Sequence, residues 1–317
     1  MRIWKNTRLD GILLILSVLQ FIITLTIALS WNQASIFLQV GAFVLMVMMI
    51  SYNIIVISHV FTHQPWFEPA FLNHCVSMLN SLNIGQSVEI YKLTHVKNHH
   101  KYNNDRKGPN GSTQDLSSTY RDGENQDHSG LFRYAFLGAF GTLFGVLKTL
   151  SYAIRIWRVG KNESLIFSLL SKSTTKRALE LRQIQLDRLF ISIGILFFTI
   201  INWQWVLFCF IPALYLSFAL VNIQNYYEHF GAEPSNRYAN SVSYYGRLYN
   251  VITFNDGYHQ EHHLRPQMHW SRLPEVHTQF KKDFDNVNRV VSPVPAMLGF
   301  FHRGRTQQSE KKKSDGI

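Results

Sequence analysis

The sequence predicts an all-α membrane protein with four main transmembrane helices arranged as two hairpins, an interfacial helix and a cytoplasmic helical cap. Three observations predict it. Three long stretches carry no charged residue. Lysine and arginine are confined to the segments on one side of those stretches. Nine of the fourteen histidines fall in tight groups at the ends of the stretches or between them.

The first stretch, Gly11 to Ser30, is 20 residues long, and the second, Ser35 to Ser58, is 24. Each exceeds the roughly 18 residues that mark a candidate spanning helix. The first lacks a small-x-small cleavage site and is followed at once by another span, so it does not read as a signal peptide. The third, Leu189 to Asn222, has 34 uncharged residues. As one helix it would be roughly 51 Å long at about 1.5 Å per residue, too long for a hydrocarbon core of about 30 Å. It therefore reads as a tight helical hairpin turning at Asn202-Trp203-Gln204-Trp205. The expected spans are 11–30, 35–58, 188–202 and 204–226.

Orientation follows from the basic residues. No lysine or arginine occurs between Arg8 and Lys92, and the two turns, Trp31 to Ala34 and Asn202 to Trp205, are uncharged. The positive-inside rule makes the basic side cytoplasmic, with both termini on it, in a membrane expected to be a bacterial inner membrane. Trp31, Trp203 and Trp205 fit an outer aromatic belt. Tyr134 to Leu147 is uncharged but has only 14 residues, a length that suits an interfacial or re-entrant helix; the interfacial segment is taken as 131–157. Arg158, Lys161, Lys172, Lys176, Arg177 and Arg182 then face anionic headgroups or solvent. Asn103 to Asp127, rich in Gly, Asp, Ser and Asn, reads as a surface loop. The remainder forms a single membrane-embedded domain over 1–302, with a basic disordered tail over 303–317.

The two cysteines, Cys75 and Cys209, form no CxxC and indicate neither a disulfide framework nor a cysteine metal site. The net charge of +11 fits an anionic membrane surface, and no nucleic-acid motif accompanies it.

The histidines carry the chemistry. The groups are His59-Val-Phe-Thr-His63, His95-Val-Lys-Asn-His99-His100, Asn225-Tyr-Tyr-Glu-His229 and His259-Gln-Glu-His262-His263. Residues i and i+4 share a helix face, so His59 with His63, and His95 with His99, can converge on one metal; Asn225 and His229 have the same relation. His259 and His262 share a face at i, i+3, while His100 and His263 point about 100° away, toward a second metal. Neutral imidazole suits Fe, Zn, Cu or Ni, and coordination reaches about six, so nine ligands require at least two metals. Glu228, Asp256 and Glu261 are candidates to orient the ligating rings. His74, His128, His269, His277 and His302 lack partners at ligand spacing and read as surface or hydrogen-bonding histidines, with His269 near enough to the last group to support it.

This pattern resembles the membrane fatty acid desaturase and hydroxylase superfamily, in box order, spacing and span layout, from about Gly11 to Trp270. His59-xxx-His63, His95-xxx-His99-His100 and His259-xx-His262-His263 match its three boxes. Asn225 to Gly231 resembles the extra histidine motif of the alkane ω-hydroxylase branch. Asn255 to Pro266 looks more like the last box of desaturases and carotenoid ketolases. The resemblance implies that all nine histidines are ligands, that two iron ions are the cofactors, and that O2 is a co-substrate. It implies that Asn225 contacts one iron through water or lies near it. Electrons come from an external donor of ferredoxin, rubredoxin or cytochrome b5 type, since no such domain is fused here. The expected reaction is desaturation of a fatty acyl chain. The alternatives are hydroxylation of an alkane or fatty acid, decarboxylation to a terminal alkene and, in a different class, a non-redox zinc membrane protein.

Overall fold

The computed structural model describes residues 3–153, 164–302 and 304–305. Among them the secondary structure is helical, with only isolated bridges besides. The α-helices are α1 (Asp10–Ser30), α2 (Ile36–Tyr52), α3 (His59–His63), α4 (Ala70–Ile84), α5 (Val88–Thr94), α6 (His100–Tyr102), α7 (Gly138–Ala153), α8 (Ser164–Leu169), α9 (Thr174–Trp205), α10 (Ile211–His229), α11 (Arg247–Ile252), α12 (His259–Leu264), α13 (Leu273–Gln279) and α14 (Lys281–Asp285). Four π-helical turns interrupt them, at Asn53–Ser58, His95–His99, Arg133–Leu137 and Val206–Phe210. Among the described residues, three helical stretches are long and apolar enough to cross a membrane: Asp10–Gln33, Ile36–His63 and Thr174–His229. The chain divides into two compact units, Met1–Thr94 with Ala139–Ala219, and His95–Gly138 with Leu220–Ile317.

In the first unit α1 buries one stripe, Asp10, Leu13, Ser17, Gln20, Thr24 and Ala28, at the three- and four-residue spacing of a helix face. Four of these six are polar, and two of them, Ser17 and Gln20, meet α4. Asn83 Nδ2 donates to the Ser17 carbonyl (2.9 Å), and Gln20 Nε2 donates to the Asn83 carbonyl (3.1 Å). Asn53 Nδ2 donates to Gln20 Oε1 (2.7 Å) and to Asn80 Oδ1 (3.1 Å), and Ser58 donates to Asn53 Oδ1. Away from water such bonds tie helices together. The end of α4 is thus level with the middle of α1, and the chain leaves it through Gly85 at φ +69° into α5. The sequence reading assigned this helical pair no element because α4 is interrupted by Asn73, His74, Asn80 and Asn83. Asp187 of α9 fastens it: its buried carboxylate accepts from Ser77, Ser87, the Glu89 amide and Gln183.

The long stretch Thr174–His229 reverses. Asn202 leaves helical geometry at φ −160°, ψ 88°, donating to the Ala28 carbonyl while its Oδ1 accepts from the Trp205 amide. Gly194 packs against Leu82, and Leu214 packs against Gly85. Residues twenty apart therefore reach one short segment of α4, where a continuous helix would separate them by about 30 Å. The turn lies where the Asn-Trp-Gln-Trp interruption predicts it. Lys172, Lys176, Arg177 and Arg182 are exposed, as expected; Arg158 and Lys161 lie outside the described residues. The segment 131–157 is helical as far as it is described, and its apolar part, Arg133–Leu147, is shorter than a span.

The second unit holds the end of α10, helices α11 to α14, and the segment 103–130. Its apolar centres are small: Leu264, Val276 and Phe284 form one, and Ala232, Val242 and Val290 another. The segment after α6 is a loop, as expected, but one buried in part. Asn104, Asp115, Ser118, Thr119 and Tyr120 are buried, because polar side chains there saturate the loop's own backbone. Asn104 Oδ1 accepts from the Thr119 amide (2.7 Å), and Asp105 accepts from the amides of Gln114 and Asp115 (both 2.8 Å). Near the end of the chain, Arg305 is buried and donates to the Tyr227 carbonyl at 2.7 Å.

Candidate metal centre

Seven of the nine grouped histidines lie in the second unit, and they form two groups. In one, the ring nitrogens of His99, His229, His259 and His263 lie within 4.8 Å of one another, and all four side chains are buried. In the other, ring nitrogens of His95, His100 and His262 lie equally close. The remaining two, His59 and His63, sit on one face of α3 in the first unit, with ring centroids 5.1 Å apart, as i, i+4 spacing predicts.

The partition of the boxes differs from that expected of an α-helix. His95 groups with His100, their Nε2 atoms 3.1 Å apart, and not with His99. The cause is the π-turn over His95–His99, which widens the winding so that i and i+5 come into line. Within α12 His259 groups with His263, at i, i+4, and His262 joins the other group, in place of the expected i, i+3 pair.

Three of the four buried rings are aimed by their far nitrogen. His99 Nδ1 donates to Asp115 Oδ2 at 2.7 Å. His229 Nδ1 faces the Asn240 carbonyl at 3.2 Å, and His263 Nδ1 faces Asn103 Oδ1 at 2.9 Å. Carbonyl and carboxylate oxygens only accept, so Nδ1 carries the proton and Nε2 the lone pair. The Nε2 atoms of His99 and His229 are 3.1 Å apart, and those of His229 and His259 are 3.4 Å apart. Lone pairs so placed repel unless a cation lies between them. Nitrogens bound at about 2.0–2.1 Å to one metal are themselves about 3.0–3.4 Å apart, so the residues fit a metal ion. His263 Nε2 is buried with no hydrogen-bond partner among the described residues. Burial and the neighbouring imidazoles of His259, His229, His99 and His262 hold His263 well below the usual histidine range, so it is neutral, as a ligand must be. Burial alone would raise the Asp115 carboxyl; His99 and the hydrogen bonds from His99, Ser117 and Asn104 outweigh it and hold it below the usual carboxylate range.

The carboxylates singled out in the sequence occupy three different positions. Glu228 Oε2 is 3.7 Å from His259 Nε2, and its Oε1 accepts from Gln224 at 2.7 Å. Asp256 accepts from Tyr249 and from that same Gln224. Glu261 is fully buried and bonds no histidine of either group; it accepts from Ser243 (2.9 Å), Tyr245 (2.7 Å) and His277 (2.6 Å), fixing the helix that carries the last box. Asn225 Nδ2 is engaged by the Tyr134 hydroxyl and the Ser117 carbonyl. His269 bonds Ser271, and His128 bonds Thr119 and the Gly231 amide. His74 bonds Gln183 and His302 bonds Arg305. Asp115, Asn103 and Tyr134 carry no sequence signal of their roles, since each lies 16 or more residues from the side chain it orients; the polar segment's own density of Asn, Asp and Ser was the one available sign for the first two.

The fatty acid desaturase family model matches residues 34–294 of this chain. The chain is similar to a sphingolipid delta(4)-desaturase of Candida albicans, 44% identical over 54 residues, which is 17% of this chain and 14% of that protein. It is similar to one of Drosophila melanogaster, 44% identical over 61 residues, 19% of each chain, and to one of Komagataella phaffii, 33% identical over 82 residues, 23% of this chain and 22% of that protein. The matches thus span less than a quarter of each relative's length. All three relatives are eukaryotic, and the expectation of a bacterial inner membrane draws no support from them. With a family match over most of its length, the chain belongs to the fatty acid desaturase family.

Proposed function

We propose that this protein is a membrane oxidoreductase that desaturates a lipid hydrocarbon chain, using two iron ions, O2 and electrons from an external ferredoxin, rubredoxin or cytochrome b5 type donor. The observation that carries the reading is the four buried imidazoles of His99, His229, His259 and His263, whose ring nitrogens converge within 4.8 Å of one another beside a second group of three. His59 and His63 complete the ligand set of nine, an assignment that rests on the family pattern. The spans form two hairpins, four crossings in all, with the histidines and both termini on the cytoplasmic side. That topology is supported by the basic-residue asymmetry and by the reversal at Asn202.

Bound iron supplies the redox chemistry that activates O2, which zinc cannot. The chain's own residues do the rest. Asp115, the Asn240 carbonyl and Asn103 hold the protons on Nδ1 and present Nε2. Tyr134 and Ser117 fix the Asn225 amide. Burial of the rings excludes water. The overall change removes two hydrogens from adjacent methylenes and, with two electrons and two protons from the donor chain, converts O2 to two waters. Fatty acyl chains are the expected substrates, and the relatives' names add sphingolipid chains to them.

The test is mass spectrometry of lipids from cells expressing the chain, with metal analysis of the purified protein. Desaturation gives a product two hydrogens lighter. A product one oxygen heavier replaces the reading with hydroxylation, and a volatile terminal alkene replaces it with decarboxylation. About two zinc ions and no iron overturns the redox chemistry altogether.

A further inference from the structure

Helix α11 has two unlike faces. Tyr249 and Asn250 are turned inward. Tyr249 donates to Asp256 (2.9 Å) and accepts from Gln224 (3.3 Å), and the Asn250 amide donates to the carbonyls of Tyr244 (2.9 Å) and Gly246 (3.0 Å). On the opposite side Leu248, Val251 and Ile252, at i, i+3 and i+4, are 74%, 70% and 53% exposed. They form a continuous apolar strip on a helix whose only charged residue is Arg247, itself exposed.

The depth of this strip is set by its inner face. Tyr249 is bonded to Gln224, which lies in the last turn of the uncharged run that extends from Leu189 to Tyr227 and ends at Glu228. That point is where a spanning helix passes from hydrocarbon to headgroups. A strip of three large apolar side chains held at that level, facing away from the protein, matches an in-plane membrane anchor, with the arginine at its end beside anionic phosphates.

We propose that α11 is an interfacial anchor: Leu248, Val251 and Ile252 insert into the acyl boundary of the bilayer, and Arg247 lies among its headgroups. The anchor sits in sequence between His229 and His259, so it holds the segment carrying the last histidine box at a fixed depth relative to lipid. It does not depend on the identity of the metal or the reaction.

The experiment is nitroxide accessibility in vesicles of phosphatidylcholine with a minority of phosphatidylglycerol. In a background with Cys75→Ala and Cys209→Ala, single variants Leu248→Cys, Val251→Cys and Ile252→Cys are spin-labelled, with Glu275→Cys of exposed α13 as the aqueous reference. Collision with O2, which concentrates in the bilayer, should exceed collision with a water-soluble nickel chelate severalfold at all three positions and fall below it at 275. Chelate-dominated collision at 248, 251 and 252 overturns the proposal, as does shielding from both reagents, which would mean that a protein surface covers the strip. Three labelled positions keep the test intact if one variant fails to fold.

Discussion

Asp115 Oδ2 lies 2.7 Å from Nδ1 of His99, and both side chains are closed off from solvent. The same oxygen accepts the Asn104 amide at 2.7 Å, while Oδ1 accepts the Ser117 amide at 2.8 Å. One carboxylate therefore organises the loop and aims a ring. Asp115→Asn keeps the shape but presents an amide group to a nitrogen that must donate. Loss of such a partner costs about 10–100-fold in metal affinity or activity. Metal content by mass spectrometry and product formation should both fall in this variant, while membrane insertion is unchanged; wild-type values for both would show that the loop alone positions His99.

His262 and His263 are adjacent in sequence but belong to different groups. His262→Ala and His263→Ala should each lower iron from about two ions per chain to about one, following the proposed count of nine ligands over two ions. Iron-57 Mössbauer spectra of the two variants should differ, because a different ion survives in each. Identical spectra would contradict the partition.

The C-terminal segment bears on the same helix. Arg305 donates to the Tyr227 carbonyl two residues before His229 and is 1% exposed. Burial lowers its pKa to about 10, so it remains charged at neutral pH, suited to the negative end of α10. Arg305→Ala strands a buried carbonyl, at a cost of about 1–3 kcal/mol. Hydrogen exchange of the peptide 224–231 should quicken in that variant.

Gly85 combines φ +69° with a Leu214 methyl only 2.8 Å from where a Cβ would lie. Gly85→Ala is therefore both strained and overpacked, and it should lower stability by about 1–3 kcal/mol. Thermal unfolding in detergent micelles reads it. Gly194→Ala, where φ is ordinary, adds no backbone strain, so its cost comes only from displacing a Leu82 methyl 2.3 Å from the new Cβ.

Much of this was legible in the sequence, for reasons that particular residues make plain. The spans at α1 and α2 announce themselves because twenty or more consecutive uncharged residues have few other uses. The Asn202 turn was visible because four polar or amphipathic residues interrupt such a run. The histidines stood out because each group repeats within one helical turn. What stayed hidden depends on contacts between residues distant in sequence. Asp115 is sixteen residues from His99 and looks like any loop aspartate. Helix α4 is polar because Asn80 and Asn83 answer Gln20 and Asn53 on other helices, so its composition conceals its depth. Glu261 sits between two grouped histidines in sequence yet serves His277, because a helix alternates the faces it presents.

The π-turn at His95–His99 has a consequence for how such a centre can change. A π-turn is one residue of surplus in a helix, and here that surplus decides which cluster receives His99 and which receives His95. Deleting one of the three residues between His95 and His99 while restoring ordinary winding would leave His95 in line with the last histidine of the box, at i, i+4 in place of i, i+5. Straightening the turn without that deletion would instead bring His95 into line with His99 and reallocate the rings between clusters. Residue count and winding therefore have to change together, and a sequence with one residue fewer here can build the same two clusters from a plain α-helix.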